Sequence, residues 1–226
     1  MKQLGVKERI VETPSALFYN QGYNQTGINQ IIAEAGVAKA SMYQHFRSKE
    51  DIAVAYLKRR HINWVSDLQN FVSKQNTNRE KLLASFDYLD SWLSSVNYRG
   101  CGWQNIITDL PNDHDKIRDQ AVLHKNDVRA WVHSLLKEEN NLADNEAIQL
   151  GDELIILLEG SIILSQIQKN KWPIEAAKNA AKKLSKNLGD YYAPIDVMKQ
   201  DVYKHKVPLH SSKKQYVVSI DKKMGG

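Results

Sequence analysis

Apolar positions recur every three or four residues along most of this chain, the spacing of α-helices that each bury one face. The clearest stripe is Leu82, Phe86, Leu89, Leu93 and Val96, a 4-3-4-3 series. Glycine and proline fall mostly between such segments and mark the turns. The pattern predicts a first helix over about 4–20, ending near Gly22. A second runs from Thr26, read as its N-cap, to about Ala35, and a third covers about 38–46 after a tight turn at Gly36. Ser48 and Asp51 have capping-box spacing at the head of a long fourth helix, and Thr77 and Glu80 form a second box. A short helix follows over about 103–110, stopped by Pro111. The next starts at Asp113 or Asp115 and lines up Ile117, Ala121, His124, Val128, Trp131 and Leu135 on one face. A helix over about 144–169 and a last one from Pro173 to about 191 complete the series. The expectation is an all-α fold of about nine helices. It divides into a three-helix unit over 1–47, a larger helical domain over 48–192, and a basic tail over 193–226 with at most a short strand pair.

Composition narrows this picture only a little. Hydrophobic residues are 42% and charged residues 25%, ordinary values for a globular protein. No run of about 18 apolar residues is present, so no membrane span is expected. The N-terminus lacks the apolar core of a secretory signal. The single cysteine, Cys101, excludes an internal disulfide and fits a cytoplasmic protein. The net charge of +5 is unevenly placed. Residues 51–192 carry 18 Lys/Arg against 19 Asp/Glu, so the basic excess sits at the two ends, which suits an acidic partner such as DNA. The seven histidines pair with no cysteine, and no His-Glu-x-x-His, Gly-rich phosphate loop or nucleophile motif occurs, so neither a metal nor a cofactor is expected.

Three short helices with a glycine turn between the last two make a helix-turn-helix pattern. In GINQIIAEAGVAKASMYQHF, Ile28, Ile31, Ile32, Ala35 and Val37 face a small core, and Met42 and Phe46 pack on it from the third helix. Lys39, Tyr43 and part of Ser41 then point outward, the division a major-groove helix needs. Periodicity alone leaves a plain three-helix unit equally open. Two departures from good helix chemistry stand out. Pro14 falls inside the first helix, at a cost of about 3 kcal/mol unless Thr13–Pro14 restarts it. Ala38 offers no side-chain cap to the third helix, a loss of about 1 kcal/mol.

The stretch IINQ…AGVAKASMYQHFRSKED, with its NQGYNQTGI entry, resembles the signature of the tetracycline-repressor (TetR) family of bacterial regulators. The match covers about residues 6–57. It implies a DNA-binding transcriptional regulator, most simply a repressor that a small-molecule inducer releases from a palindromic operator on double-stranded DNA. It also implies roles for individual residues. Thr26 and Gly27 would offer helix N–H groups to a phosphate, and Asn29 would reach a phosphate or a base edge. Lys39 would donate to guanine, and Ala40 would touch a thymine methyl. Ser41, Tyr43, His45 and Lys49 would hold phosphates.

The remaining helices agree with the family's ligand-binding and dimerisation domain in number and order. LIILLEGSIIL is apolar nearly all round and needs cover on more than one side. With the alanine-rich last helix it resembles the family's four-helix homodimer seam, here Leu157, Gly160, Ser161, Leu164, Ala177, Ala180, Ala181 and Leu184. The implied ligand pocket draws on Trp64, Trp92, Trp103, Gln104, Asn105 and His124. Two alternatives stand beside this reading. One is an all-helical enzyme with an incidental helix-turn-helix. The other is a redox- or electrophile-sensing regulator acting through Cys101, which lies between two glycines next to Arg99.

Overall fold

The computed structural model describes residues 4–110, 115–140 and 143–186. The tail over 193–226 and the last residues expected of the final helix lie outside them. The described residues form nine α-helices and no strand: α1 (Val6–Asn20), α2 (Ile28–Glu34), α3 (Lys39–His45), α4 (Lys49–Val72), α5 (Asn78–Ser95), α6 (Gly102–Thr108), α7 (Asp115–Asn140), α8 (Asp144–Gln168) and α9 (Trp172–Lys186). The all-α expectation therefore holds. None of these helices is long and apolar enough to cross a membrane.

The helix starts follow from their caps. Asp51 N–H donates to Ser48 Oγ at 3.1 Å, which opens α4. At α5 the box is reciprocal, with Glu80 N–H on Thr77 Oγ1 and Thr77 N–H on Glu80 Oε2. Two boundaries differ from expectation. α2 is capped by Gly27, because the Thr26 hydroxyl turns back to donate to the Gly22 carbonyl at 2.7 Å. α9 begins at Trp172, so Pro173 stands one place inside the first turn, where a missing N–H is still harmless.

α1 runs unbroken through Pro14, whose ring is buried. Its missing N–H leaves the Ile10 carbonyl without a helical donor, while the Ser15 hydroxyl donates to the Val11 carbonyl next to it at 2.8 Å. α1 packs on α2, α3, α4 and α6. α4 continues from that small bundle into the body, where it packs on α5 and α7, and α8 and α9 lie together against α5 and α7. One apolar core runs through all of it, from Ile10 and Met42 through Tyr56, Phe86 and Trp103 to Leu154 and Ala181.

Candidate nucleic-acid interface and core cavity

Gly36 links α2 to α3 at φ +59°, a left-handed conformation that suits glycine. Its carbonyl accepts from Arg9 Nη1 of α1 at 3.2 Å. Beyond the turn, Ala38 stands at the α3 N-cap with no side-chain hydrogen bond, as its sequence implied. Tertiary clamping holds the helix instead: Met42 is fully buried and Phe46 nearly so. Lys39, Ala40, Tyr43, Gln44 and His45 are exposed, and Ser41 is half-buried. Lys39 and Tyr43 are four apart and share one side of α3. Gly27 and Asn29 are exposed at the start of α2. Gln44 shares the exposed surface and was not singled out from sequence, where a glutamine beside a histidine carries no signal.

Two expected phosphate contacts are placed differently. Thr26 is fully buried: its hydroxyl closes the 22–26 turn, and its N–H donates to the Tyr23 carbonyl at 3.3 Å. The Lys49 ammonium donates to the Tyr23 carbonyl at 3.0 Å and lies 4.2 Å from that tyrosine's ring centre. Burial lowers its pKa, opposed by Asp109.

Asp109 ties this loop to the end of α6. Its carboxylate accepts from Asn24 N–H at 2.7 Å, and the Asn24 side-chain amide donates to the same carboxylate and to the Asp109 carbonyl. Nearby, the Tyr19 hydroxyl donates to the Gly100 carbonyl at 2.8 Å, and Arg99 Nε donates to the Tyr19 carbonyl at 2.9 Å. The residues just before and at the end of α6 thus grip the end of α1 and the loop that follows it.

On the inner side of α6 a narrow, apolar cavity is lined by Trp64, Trp92, Trp103, Trp131, His124 and aliphatic side chains of α4, α5, α7 and α8. The Trp103 and His124 rings stack 3.6 Å apart and 5° from parallel. Trp64 meets His124 edge-on at 5.2 Å and Trp92 at 6.2 Å. His124 Nδ1 lies 3.0 Å from His61 Nδ1, and His61 Nε2 lies 3.3 Å from an Asp127 oxygen. Burial, then the positive neighbours Lys125, His61 and Arg60, push the His124 pKa down to about 3, so the imidazole is neutral near pH 7.

The cavity wall also holds an ion pair with a cysteine beside it. Lys125 Nζ donates to both Glu159 oxygens, at 2.7 and 2.6 Å, and sits 3.6 Å from Cys101 Sγ. Burial pulls the Lys125 pKa down, but Cys101 and Glu159 outweigh it and leave it raised. Cys101 is buried. Trp103, Lys125 and Glu159 also line a wider cleft between α6, α7 and α8, together with Gln104.

The structure thus gathers four of the six expected pocket residues around one cavity and puts Gln104 in the adjoining cleft. Asn105 stands apart: its amide donates to the Arg99 carbonyl and accepts from Gln166. Lys125 and Glu159 were missed. They lie 34 residues apart on different helices, and nothing local in the sequence pairs them.

Residues 10–56 match the family model described as bacterial regulatory proteins, tetR family. The helix-turn-helix, α2 and α3, lies inside that span with most of the supporting α1. This part of the chain is a TetR-family DNA-binding region. The chain is a DNA-binding transcriptional regulator. It is similar over most of its length to YxaF of Bacillus subtilis, named an uncharacterized HTH-type transcriptional regulator, at 29% identity over 74% of this chain and 88% of that one. It is 23% identical to the transcriptional repressor DhaR of a Mycobacterium species, over 77% of this chain and 89% of that one. The fold is that of SCO4454, a TetR-family regulator from Streptomyces coelicolor, with a TM-score of 0.72, 21% identity, and coverage of 81% and 89% of the two chains.

The residues expected to meet a second copy divide between inside and outside. Ser161, Ala177 and Ala181 are buried within the chain itself and face its own core. Leu157, Gly160, Ala180 and Leu184 are half-buried, and Leu164 is exposed. The most exposed apolar side chains of α8 are Ile156 at 70% and Ile167 at 71%, with Trp172 at 46% at the start of α9. Sequence reading passed over these three because an all-round apolar run does not reveal which side faces out.

Proposed function

We propose that this TetR-family regulator is a repressor that binds a palindromic operator as a homodimer and leaves it when a small molecule enters the tryptophan-lined core. Residues 1–47 act as the DNA-binding head and 48–192 as the ligand-binding and dimerising body, in the cytoplasm where the DNA lies. One observation carries the reading: α3 buries Met42, with Phe46 buried at its C-cap, and turns Lys39, Ala40, Tyr43 and His45 to solvent. A helix held in this way presents an unobstructed edge to a major groove. In this scheme Lys39 and Ala40 read bases, with Gly27, Asn29, Ser41, Tyr43 and His45 on the backbone. Lys49 joins them only by letting go of Tyr23, and Thr26 serves by holding the turn before α2. A relative named as a repressor supports the direction of control. The relatives' names speak for regulation rather than catalysis.

Release follows from differential affinity: a ligand held better by a form with wrongly spaced heads weakens DNA binding. The Asp109–Asn24 contacts are a physical route from the cavity helix α6 to the head. The test is titration of DNA carrying the palindrome near the protein's own gene, at several salt concentrations. Binding should weaken steeply with salt. Lys39→Ala should flatten the preference among operator variants, costing about 1–3 kcal/mol at one base pair, whereas Tyr43→Phe should weaken all sites alike. Unchanged operator preference in Lys39→Ala removes Lys39 as the reading residue.

A second trigger has its own observation, the Lys125 ammonium 3.6 Å from Cys101 Sγ. On this reading an oxidant or electrophile acts at Cys101. If Cys101→Ser responds to oxidants as the parent does, it is discarded.

A further inference from the structure

We propose that the cleft between α6, α7 and α8 takes a neutral, flat aromatic molecule bearing an amide-like group, whose carbonyl accepts from the Trp103 indole N–H and whose N–H donates to Gln104 Oε1. This rests on the reading that a small molecule binds in this core.

Three features of the cleft lead there. The first is an unmet pair of hydrogen-bonding atoms. Trp103 Nε1 and Gln104 Oε1 are both buried and have no hydrogen-bond partner among the described residues. An indole nitrogen only donates and an amide oxygen only accepts, so the group that satisfies both must bring one acceptor and one donor. The two belong to consecutive residues of α6 and line the same cleft. Trp103 itself is 1% exposed, so bulk water has little access to its indole.

The second feature is charge balance. The charged side chains lining the cleft are Arg118, Lys125 and Glu159. Lys125 and Glu159 satisfy each other through both carboxylate oxygens. Arg118 is solvent-exposed. An ion entering the cleft would leave water and meet no free counter-charge at its inner end. A carboxylate would face Glu159, and an ammonium would face Lys125.

The third is shape and polarity. Beyond those groups the walls are Ile107, Ala121, Val122, Ile155 and Ile163, with Asn126 as the one further polar side chain, and the empty volume is about 1060 Å3 including the mouth. That suits a two-ring molecule with one polar end. Trp103 stacks flat on His124, so an aromatic lining already stands at the inner end.

An isosteric naphthalene series tests this on the full-length protein by titration calorimetry: 2-naphthamide, methyl 2-naphthoate, 2-naphthoate and 2-naphthylmethylammonium. The amide should bind about tenfold tighter than the ester, which has no donor, and about a hundredfold tighter than either ion. Gln104→Leu should erase the gap between amide and ester while leaving ester affinity unchanged, which also shows that the variant is folded. Trp103→Phe, which keeps a ring against His124, should weaken amide and ester alike by about tenfold. Equal affinity of amide and ester for the parent overturns the proposal, as does tightest binding by an ion, or no binding by any of the four.

Operator affinity, followed in the same samples, separates this idea from the release mechanism. An ion that binds tightest and frees the operator overturns the ligand class and leaves release standing. An amide that binds as expected and leaves operator affinity unchanged does the reverse.

Discussion

His124 is an ionisable side chain kept uncharged by its position. In the unfolded chain it takes a proton near its ordinary value of 6.5, but in the fold only near 3. Between those values protons favour the unfolded chain. The stabilisation is therefore intact above about pH 6.5 and is lost as pH falls towards 3, by about 1.4 kcal/mol per unit. His124→Phe keeps a ring against Trp103 and removes the titration. Between pH 7 and pH 5, the parent should lose about 2 kcal/mol more stability than His124→Phe in urea unfolding. Equal losses would mean that His124 accepts its proton inside the fold. The sequence made the burial of His124 legible, since the residue stands on an apolar stripe with Ala121 and Val128. Its stacking on Trp103 and its contact with His61 were not legible, because both cross between helices.

At the scale of elements, the two functional helices differ in how openly the sequence declared them. The two-sided character of α3 could be read directly, because Met42 and Phe46 are large apolar residues at helical spacing. The ends of helices were less transparent. Thr26 and Lys49 both carry groups suited to a phosphate, yet each has a backbone carbonyl within reach, on Gly22 and Tyr23. Competition of that kind is decided by loop geometry, which no periodicity encodes. The hold of α6 on the loop after α1 belongs with these unread contacts, since it joins residues 85 apart. Asp109→Ala should release the Asn24 N–H and speed its hydrogen exchange by about tenfold, with core amides of α4 unchanged. Unaltered exchange at Asn24 would show that other contacts hold the loop.

Across the whole molecule, α8 is the helix with most left to cover. Ile156 and Ile167 stand out from a surface on which Leu164 and Trp172 are also exposed. In the proposed dimer this surface is closed by its own copy, and two recognition helices come to lie about 34 Å apart, one turn of DNA. Ile167→Glu places a charge there. It should shift the protein to monomer in analytical ultracentrifugation and weaken operator binding by at least about a hundredfold, in line with the loss of one half-site contact set. A dimeric Ile167→Glu protein with normal operator affinity would move the interface elsewhere.

Gly160 gives that surface a sharper consequence. A methyl group on its Cα would touch nothing within 4 Å in the single chain. The chain on its own thus gives no steric reason for glycine in mid-helix, where alanine is better by about 1 kcal/mol. If the room is kept for a neighbour, Gly160→Ala pulls two equilibria in opposite directions. Each chain folds more firmly, with a higher melting temperature at dilutions where chains are separate. The pair comes apart more readily, so the concentration at half-dissociation rises. A purely structural glycine would move the first quantity and leave the second where it was.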